Sequence, residues 1–343
     1  MTLLDIQDLS VEYETTEGTI RAVNGVSFSI DEDEKFGLVG ESGCGKSTVA
    51  KAILRLLPDN GRIADGSITL TLDGDPIDLV TVGDRKLREI RWEELSTVSQ
   101  SAMNALDPVY TIGEQIVEAI KLHRRASEKK PRERAKELLD LVGLDVNRVD
   151  SYPHQLSGGM RQRAMIAMSL ALDPALVIAD EPTTALDVIT QDHILEEINE
   201  LTDSLGSSLL IITHDISVVA ETCDRVGVMY GGELVEIGPT EEVFVDPEHP
   251  YTQGLMNAFP SIEGEKSELI TMPGEPPDLR ERPQGCIFVD RCPYREERCE
   301  QEMPALTERG PSHEAACYVT DDGKDIDERL ESVLMEGSTW QRL

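Results

Sequence analysis

Two short runs of this chain carry the residue types that phosphate chemistry needs. Gly40-Glu41-Ser42-Gly43-Cys44-Gly45-Lys46-Ser47-Thr48 fits the pattern GxxxxGK[ST]. Its glycines let successive backbone N–H groups turn inward around an anion at a helix N-terminus. Lys46 would reach the β- and γ-phosphates of ATP, and Ser47 would ligate Mg²⁺. Further along, Leu176-Val177-Ile178-Ala179-Asp180-Glu181 is an apolar strand ending in two carboxylates. Asp180 is suited to hold Mg²⁺ through water, and Glu181 to polarise the water that attacks the γ-phosphate. Taken singly, the first run is a glycine-rich turn with a lysine and the second a solvated strand end. Their order, and the strand before and helix after the first loop, favour the nucleotide reading.

The elements that must position these residues alternate along the chain. Residues 4–9, 20–23 and 26–30 read as short strands, and Phe36-Gly37-Leu38-Val39 is a buried strand feeding the glycine-rich loop. Helical patterning takes over from about 85 to 150, with apolar spacing over 112–122 and a helix over 134–143 that ends on Gly143 as its C-cap. A helix over 160–172 precedes a strand over 175–179, and a helix over 188–203 precedes a strand over 208–213. This alternation predicts an α/β fold built on a largely parallel sheet. After about 240 the texture changes, and Pro260, Pro273, Pro276, Pro277 and Pro283 punctuate a linker-like stretch.

Composition narrows the function classes. The 343 residues suffice for one large α/β core with an appended piece. No stretch approaches the roughly 18–20 apolar residues of a membrane span, and Met1-Thr2-Leu3-Leu4-Asp5 lacks the features of a signal peptide. A cytosolic chain acting at a membrane only through partners is expected. With 66 acidic and 32 basic residues, the net charge of −34 repels nucleic-acid phosphates and anionic lipid. Of six cysteines, Cys44 and Cys223 stand alone, whereas Cys286, Cys292, Cys299 and Cys317 cluster. In a cytosolic protein such a cluster points to metal before disulfides. Four thiolates can hold a [4Fe–4S] cluster or a structural zinc, with free or disulfide-bonded thiols as the remaining alternative, and the wide spacing lacks the CxxC pairs common at zinc sites.

A third run decides the family. Leu156-Ser157-Gly158-Gly159-Met160, between the loop and the carboxylate strand, resembles the signature motif of ABC ATPases. The resemblance implies a P-loop NTPase of the ABC type, with a parallel core sheet, an antiparallel β subdomain and a helical subdomain over about 85–160. It also implies roles for single residues. Gln100 looks like the glutamine that senses Mg²⁺ and the γ-phosphate, Asp187 in Thr184-Ala185-Leu186-Asp187 belongs to the D-loop, His214 is the switch histidine, and Tyr13 stacks on adenine. Ser157, Gly158 and Gly159 would serve the nucleotide of a second ATPase subunit, in trans.

More of the chain resembles the oligopeptide/dipeptide importer ATPases. The resemblance runs through residues 151–163, through Leu56-Leu57-Pro58-Asp59-Asn60-Gly61-Arg62-Ile63 and Pro247-Glu248-His249-Pro250-Tyr251-Thr252, and on to Gly274-Glu275-Pro276-Pro277 and the cysteines. It implies an ATPase domain over 1–255, a four-cysteine extension over 256–325 associated with a [4Fe–4S] cluster, and an acidic tail over 326–343. It also implies two permease partners, a substrate-binding protein outside the cell, peripheral attachment at the cytoplasmic face of the membrane, and peptides as cargo, with oligosaccharides as the alternative. Ala102 stands where many relatives carry proline, a departure that bears on cargo. The dispersed acidity resembles proteins of salt-loving archaea. A soluble ABC ATPase working on nucleic acid fits poorly, because the charge opposes it and no long coiled-coil insert is present. A regulatory subunit without activity fits no better, since Lys46, Asp180, Glu181 and His214 are all retained.

Overall fold

The computed structural model describes residues 1–99, 106–123, 130–182, 198–257, 270–272, 274–280, 282–323, 326, 330 and 340–342. In chain order its strands are β1 (Thr2–Thr15), β2 (Gly18–Asp31), β3 (Lys35–Val39), β4 (Gly61–Leu72), β5 (Asp75–Asp78), β6 (Leu95–Ser99), β7 (Leu176–Asp180), β8 (Ser208–Thr213), β9 (Arg225–Tyr230), β10 (Glu233–Pro239), β11 (Ile270–Thr271), β12 (Thr307–Gly310), β13 (His313–Ala315) and β14 (Gln341–Arg342). Among these residues three sheets form, ordered β2-β1-β4-β5, β12-β13-β10-β9-β3-β8-β7-β6 and β11-β14.

The second sheet places the chemistry. β9, β3, β8, β7 and β6 run parallel, in a register that sets Val39 beside Thr213 and Asp180 beside Ile212. The C-terminal ends of β3, β7 and β8 therefore share one edge, where open α/β sheets bind ligands. Both faces are covered, which is why the strands read as unbroken apolar runs. Alternate residues serve opposite cores: Leu176, Ile178, Leu210 and Ile212 join Phe36, Leu38, the helix Lys46–Ile53 and the antiparallel sheet. Val177, Ala179, Leu209 and Ile211 join the helices Ile112–His123, Pro131–Leu141 and Gly158–Ser169.

Several expected boundaries shift. The strands expected over 20–23 and 26–30 are one element, β2, bent by register shifts in its pairing with β1. Helix Pro131–Leu141 begins earlier than the apolar spacing indicated because Pro131 is tolerated in a first turn. Its exit through Gly143 at φ +65° follows the C-cap expectation. Helix Gly158–Ser169 starts at the signature glycines because Ser157 caps it, and it stops before 172. Of the helix expected over 188–203, residues 198–205 are described and are helical.

The largest difference lies after residue 240. Helices Thr240–Val245 and Pro250–Asn257 pack on the sheet, and beyond the proline-punctuated stretch β13 pairs with β10 so that β13 and β12 widen the main sheet by two strands. Cys286, Ile287, Phe288 and Val289 belong to the same core as β7 and β8. Prolines and charges dominate this region's composition, yet a few large side chains carry its burial, at roughly 1.5–3 kcal/mol for each fully buried Ile or Phe. The segment that reads as an acidic tail also returns: Trp340 is buried, its Nε1 donates to the Arg291 carbonyl at 2.9 Å, and β14 pairs with β11.

Candidate active site

The glycine-rich loop leaves β3 and enters helix Lys46–Ile53 through Gly45, whose φ of +106° suits glycine and whose missing Cβ would lie 2.4 Å from the Ala22 carbonyl oxygen. Gly40 is fixed as tightly, since a Cβ there would meet the Met229 carbonyl oxygen at 2.1 Å. Ser42 and Gly43 are exposed, and the Cβ direction of Gly43 is open space. The first N–H groups of the helix have no partner within it. A glycine-rich loop that enters a helix start in this way is suited to a polyphosphate.

Lys46 is buried, and its Nζ donates to the carbonyls of Gly40 at 2.7 Å and Glu41 at 2.9 Å, with the buried Cys44 Sγ at 3.6 Å. The ammonium thus lies folded over its own loop. Ser47 Oγ donates to Asp180 Oδ1 at 2.8 Å, so a hydroxyl and a carboxylate from distant elements converge at the loop. Such a pair of hard oxygens fits Mg²⁺, which takes a few protein oxygens together with phosphate and water. Burial raises the Asp180 pKa, opposed by the Ser47 hydrogen bond and reinforced by the Glu181 charge. A bound cation would favour the ionised form.

Glu181 adopts φ +47°, a conformation that costs a non-glycine residue roughly 1–2 kcal/mol. Its N–H donates to the Ile212 carbonyl at 2.8 Å, tying the turn to β8. Its Oε1 lies 3.3 Å from Nδ1 of the exposed His214. Tyr13, on β1, sets its hydroxyl 3.3 Å from Thr48 Oγ1, and its ring fills the space a Cβ of Gly61 would need. Lys46, Ser47, Thr48, Asp180, Glu181, His214 and Tyr13 are therefore gathered at one place. Gln100 and Asp187 lie outside the described residues.

With this geometry in view, the comparisons with known proteins are specific. Residues 23–184 match the family described as "ABC transporter", and residues 235–299 match "Oligopeptide/dipeptide transporter, C-terminal region". The chain is 46% identical over 323 residues to the probable peptide ABC transporter ATP-binding protein y4tR of Sinorhizobium fredii, covering 92% of this chain and 94% of that one. It is 42% identical over 338 residues to the dipeptide transport ATP-binding protein DppD of Bacillus subtilis, covering 98% of both. The chain belongs to the ABC transporter ATP-binding family. Its fold resembles a dimeric ATP-binding cassette solved in a post-hydrolysis state with ADP and Pi, at a TM-score of 0.60 and 29% identity, covering 69% of this chain and 98% of that one. As an ABC ATPase it acts on ATP with Mg²⁺, and among the described residues no helix is long and apolar enough to cross a membrane.

The signature run of this ABC cassette is elsewhere. Ser157 is exposed at the start of helix Gly158–Ser169, where its Oγ accepts from the Met160 N–H at 3.3 Å. Gln162 of that helix is buried and donates to the Pro182 carbonyl, linking the signature helix to the turn that carries Glu181.

Two residues at the loop were missed in the sequence. Tyr251 accepts from the Glu41 N–H at 2.9 Å, and Arg291 donates to Glu41 Oε2 at 2.9 Å. Burial pushes the Tyr251 phenol up, so it stays protonated. Behind it, His249 is held neutral by burial, its pKa pulled down to about 3, and its Nδ1 accepts from the Tyr251 N–H at 3.0 Å. Only the run that places Tyr251 two residues after His249, and the arginine between two clustered cysteines, signal these residues in the sequence.

No disulfide joins any of the six cysteines. Burial pushes Cys286 up to about 12, with Cys317 and Cys299 adding to the effect. Burial also holds Cys292 well above the ordinary thiol value, and the same neighbours and Cys286 raise it further. The four clustered cysteines are therefore close enough to act on one another. Even so, among the described residues no three His, Cys, Asp or Glu side chains are placed to hold a metal ion. The donor type fits an iron–sulfur or zinc centre, while the placement stops short of a coordination shell.

Proposed function

We propose that this ABC ATPase powers the import of di- or oligopeptides through two permease subunits, from the cytoplasmic face of the membrane. The observation that carries the reading is the extension itself: residues 235–299 match a C-terminal region of the oligopeptide/dipeptide type, and within them β10 and Cys286, Ile287, Phe288 and Val289 are built into the ATPase sheet and its core, in a chain whose relatives are named for peptide transport. Lys46 and the loop N–H groups bind the β- and γ-phosphates, Ser47 and Asp180 hold Mg²⁺, and Tyr13 stacks on adenine. Glu181 orients the attacking water, His214 fixes Glu181, and Gln100 and Asp187 complete the site. Mg²⁺ supplies charge neutralisation of the phosphates. The exposure of Ser157 supports a composite site, in which Ser157, Gly158 and Gly159 of a second ATPase subunit donate to the γ-phosphate. Closing and opening of that pair drives the permeases, which take cargo from an external binding protein.

The test is uptake by the reconstituted transporter. Labelled peptide should enter proteoliposomes only with ATP inside the compartment that holds the ATPase, and Glu181→Gln should stop uptake and hydrolysis together. ATP-driven uptake of an oligosaccharide in place of peptide would overturn the cargo assignment.

The four clustered cysteines hold a [4Fe–4S] cluster in this reading. The support is the donor set: four buried or half-buried thiols in one segment, of the type that stabilises an iron–sulfur centre as thiolates. Protein purified without oxygen should be brown and contain iron and acid-labile sulfide in equal amounts. Zinc without sulfide would assign a structural zinc instead.

A further inference from the structure

We infer that Arg291 is a positioning residue for nucleotide binding: through Glu41 it braces the phosphate-binding loop and makes the C-terminal extension part of the ATP site. The two side chains are 250 residues apart in the chain and meet at 2.9 Å. Arg291 is 7% exposed and Glu41 25%, so the pair is shielded from solvent on the arginine side. Further contacts fix the arginine from the extension and the core. Nη1 donates to Tyr230 Oη at 3.2 Å, and Nη2 to the Met272 carbonyl at 3.2 Å. The guanidinium lies 5.6 Å from the Tyr230 ring centre and 5.9 Å from that of Phe288. The Arg291 N–H donates to the Phe288 carbonyl at 3.0 Å, and its own carbonyl accepts from Trp340.

The brace grips the loop on two sides. Glu41 N–H is held by Tyr251, Glu41 Oε2 by Arg291, and the Glu41 carbonyl accepts from Lys46 Nζ at 2.9 Å. Tyr251 and Arg291 are joined behind the loop by Tyr230 and Phe288, whose rings lie 4.6 and 5.5 Å from the Tyr251 ring. Glu41 is also an electrostatic oddity, a carboxylate in a loop built for phosphates. Paired with Arg291, it contributes little repulsion. Bared, the partly buried carboxylate opposes every phosphate that enters, at a position that water screens less than a fully exposed one. Arg291 precedes Cys292 directly, so the fold of the cysteine segment sets where the guanidinium sits.

This inference rests on the reading that Gly40–Thr48 binds nucleotide, and the experiment separates the two. ATP–Mg²⁺ affinity is measured by equilibrium titration on the full chain for wild type, Arg291→Met, Arg291→Lys, Glu41→Gln, the double variant Arg291→Met/Glu41→Gln, and Lys46→Ala. Arg291→Met should weaken ATP binding roughly tenfold, within the range of site-to-site couplings. Adding Glu41→Gln to it should restore most of the loss, because the bared carboxylate is then gone. Arg291→Lys, which keeps the charge without the fork, should fall between, and serves if the Met variant fails to fold. A merely structural role predicts a lowered melting temperature with unchanged ATP affinity, or a loss that Glu41→Gln leaves unrepaired, and either result overturns the brace. If Lys46→Ala binds ATP like wild type, the nucleotide reading of the loop fails instead.

Discussion

At the scale of single residues, the site depends on side chains held before any ligand arrives. Glu181 occupies a backbone conformation that disfavours its own type, and strain of this kind persists where surrounding structure over-determines it. Here the restraints are the bond from its N–H to β8 and the contact with His214. Glu181→Gln keeps the shape and removes the charge that orients water. Steady-state hydrolysis should fall by about 10²–10⁴-fold, the usual worth of a positioned base, while ATP affinity stays near that of wild type. Hydrolysis within a factor of a few of wild type would remove Glu181 from its role.

At the scale of elements, the join between β10 and β13 carries a pH-dependent lock. Glu236 is fully buried and accepts from the Glu248 N–H at 2.7 Å and the His249 N–H at 3.0 Å, while His313 Nε2 lies 2.8 Å from its Oε1. Burial lowers the His313 pKa, but the Glu236 hydrogen bond and charge, with Glu248 and Glu242, outweigh it, and the net pKa lies above 6.5. A raised histidine pKa stabilises the fold fully below the unfolded value and loses that contribution as pH rises through the folded one. His313→Gln should therefore cost most near about pH 6, roughly 1–3 kcal/mol, with the gap to wild type narrowing by about pH 9. Melting temperatures of both proteins across that range are the check, and a gap that widens with pH would contradict the assignment.

At the scale of the whole molecule, the net charge of −34 sets the conditions under which the fold holds. Screening extends over about 10 Å at 0.1 M salt and about 3 Å at 1 M. Repulsion among dispersed carboxylates should weaken across that interval. The melting temperature should rise steeply with potassium chloride from about 0.1 to 1 M. A flat response would show that local pairs such as Glu12 with Arg21 and Arg62 already offset the excess.

The sequence by itself determined what lies within a few residues of a motif. A strand that ends in a glycine-rich loop, a helix capped by Ser157 and an apolar strand closing on Asp180-Glu181 are local arrangements, specified by backbone freedom, caps and periodicity. The alternation of strands and helices gave a largely parallel sheet, whereas the strand order β9-β3-β8-β7-β6 is not the chain order and was set by the tertiary structure. Tertiary structure alone decided how the chain beyond residue 240 is used, because composition averages hide the few side chains that do the burying. Phe288, Trp340 and Arg291 stand among prolines and charges with no period to mark them. The contact between Glu41 and Arg291 was illegible for the same reason: a pair 250 residues apart is set by how two cores meet, and no local preference of either residue encodes it.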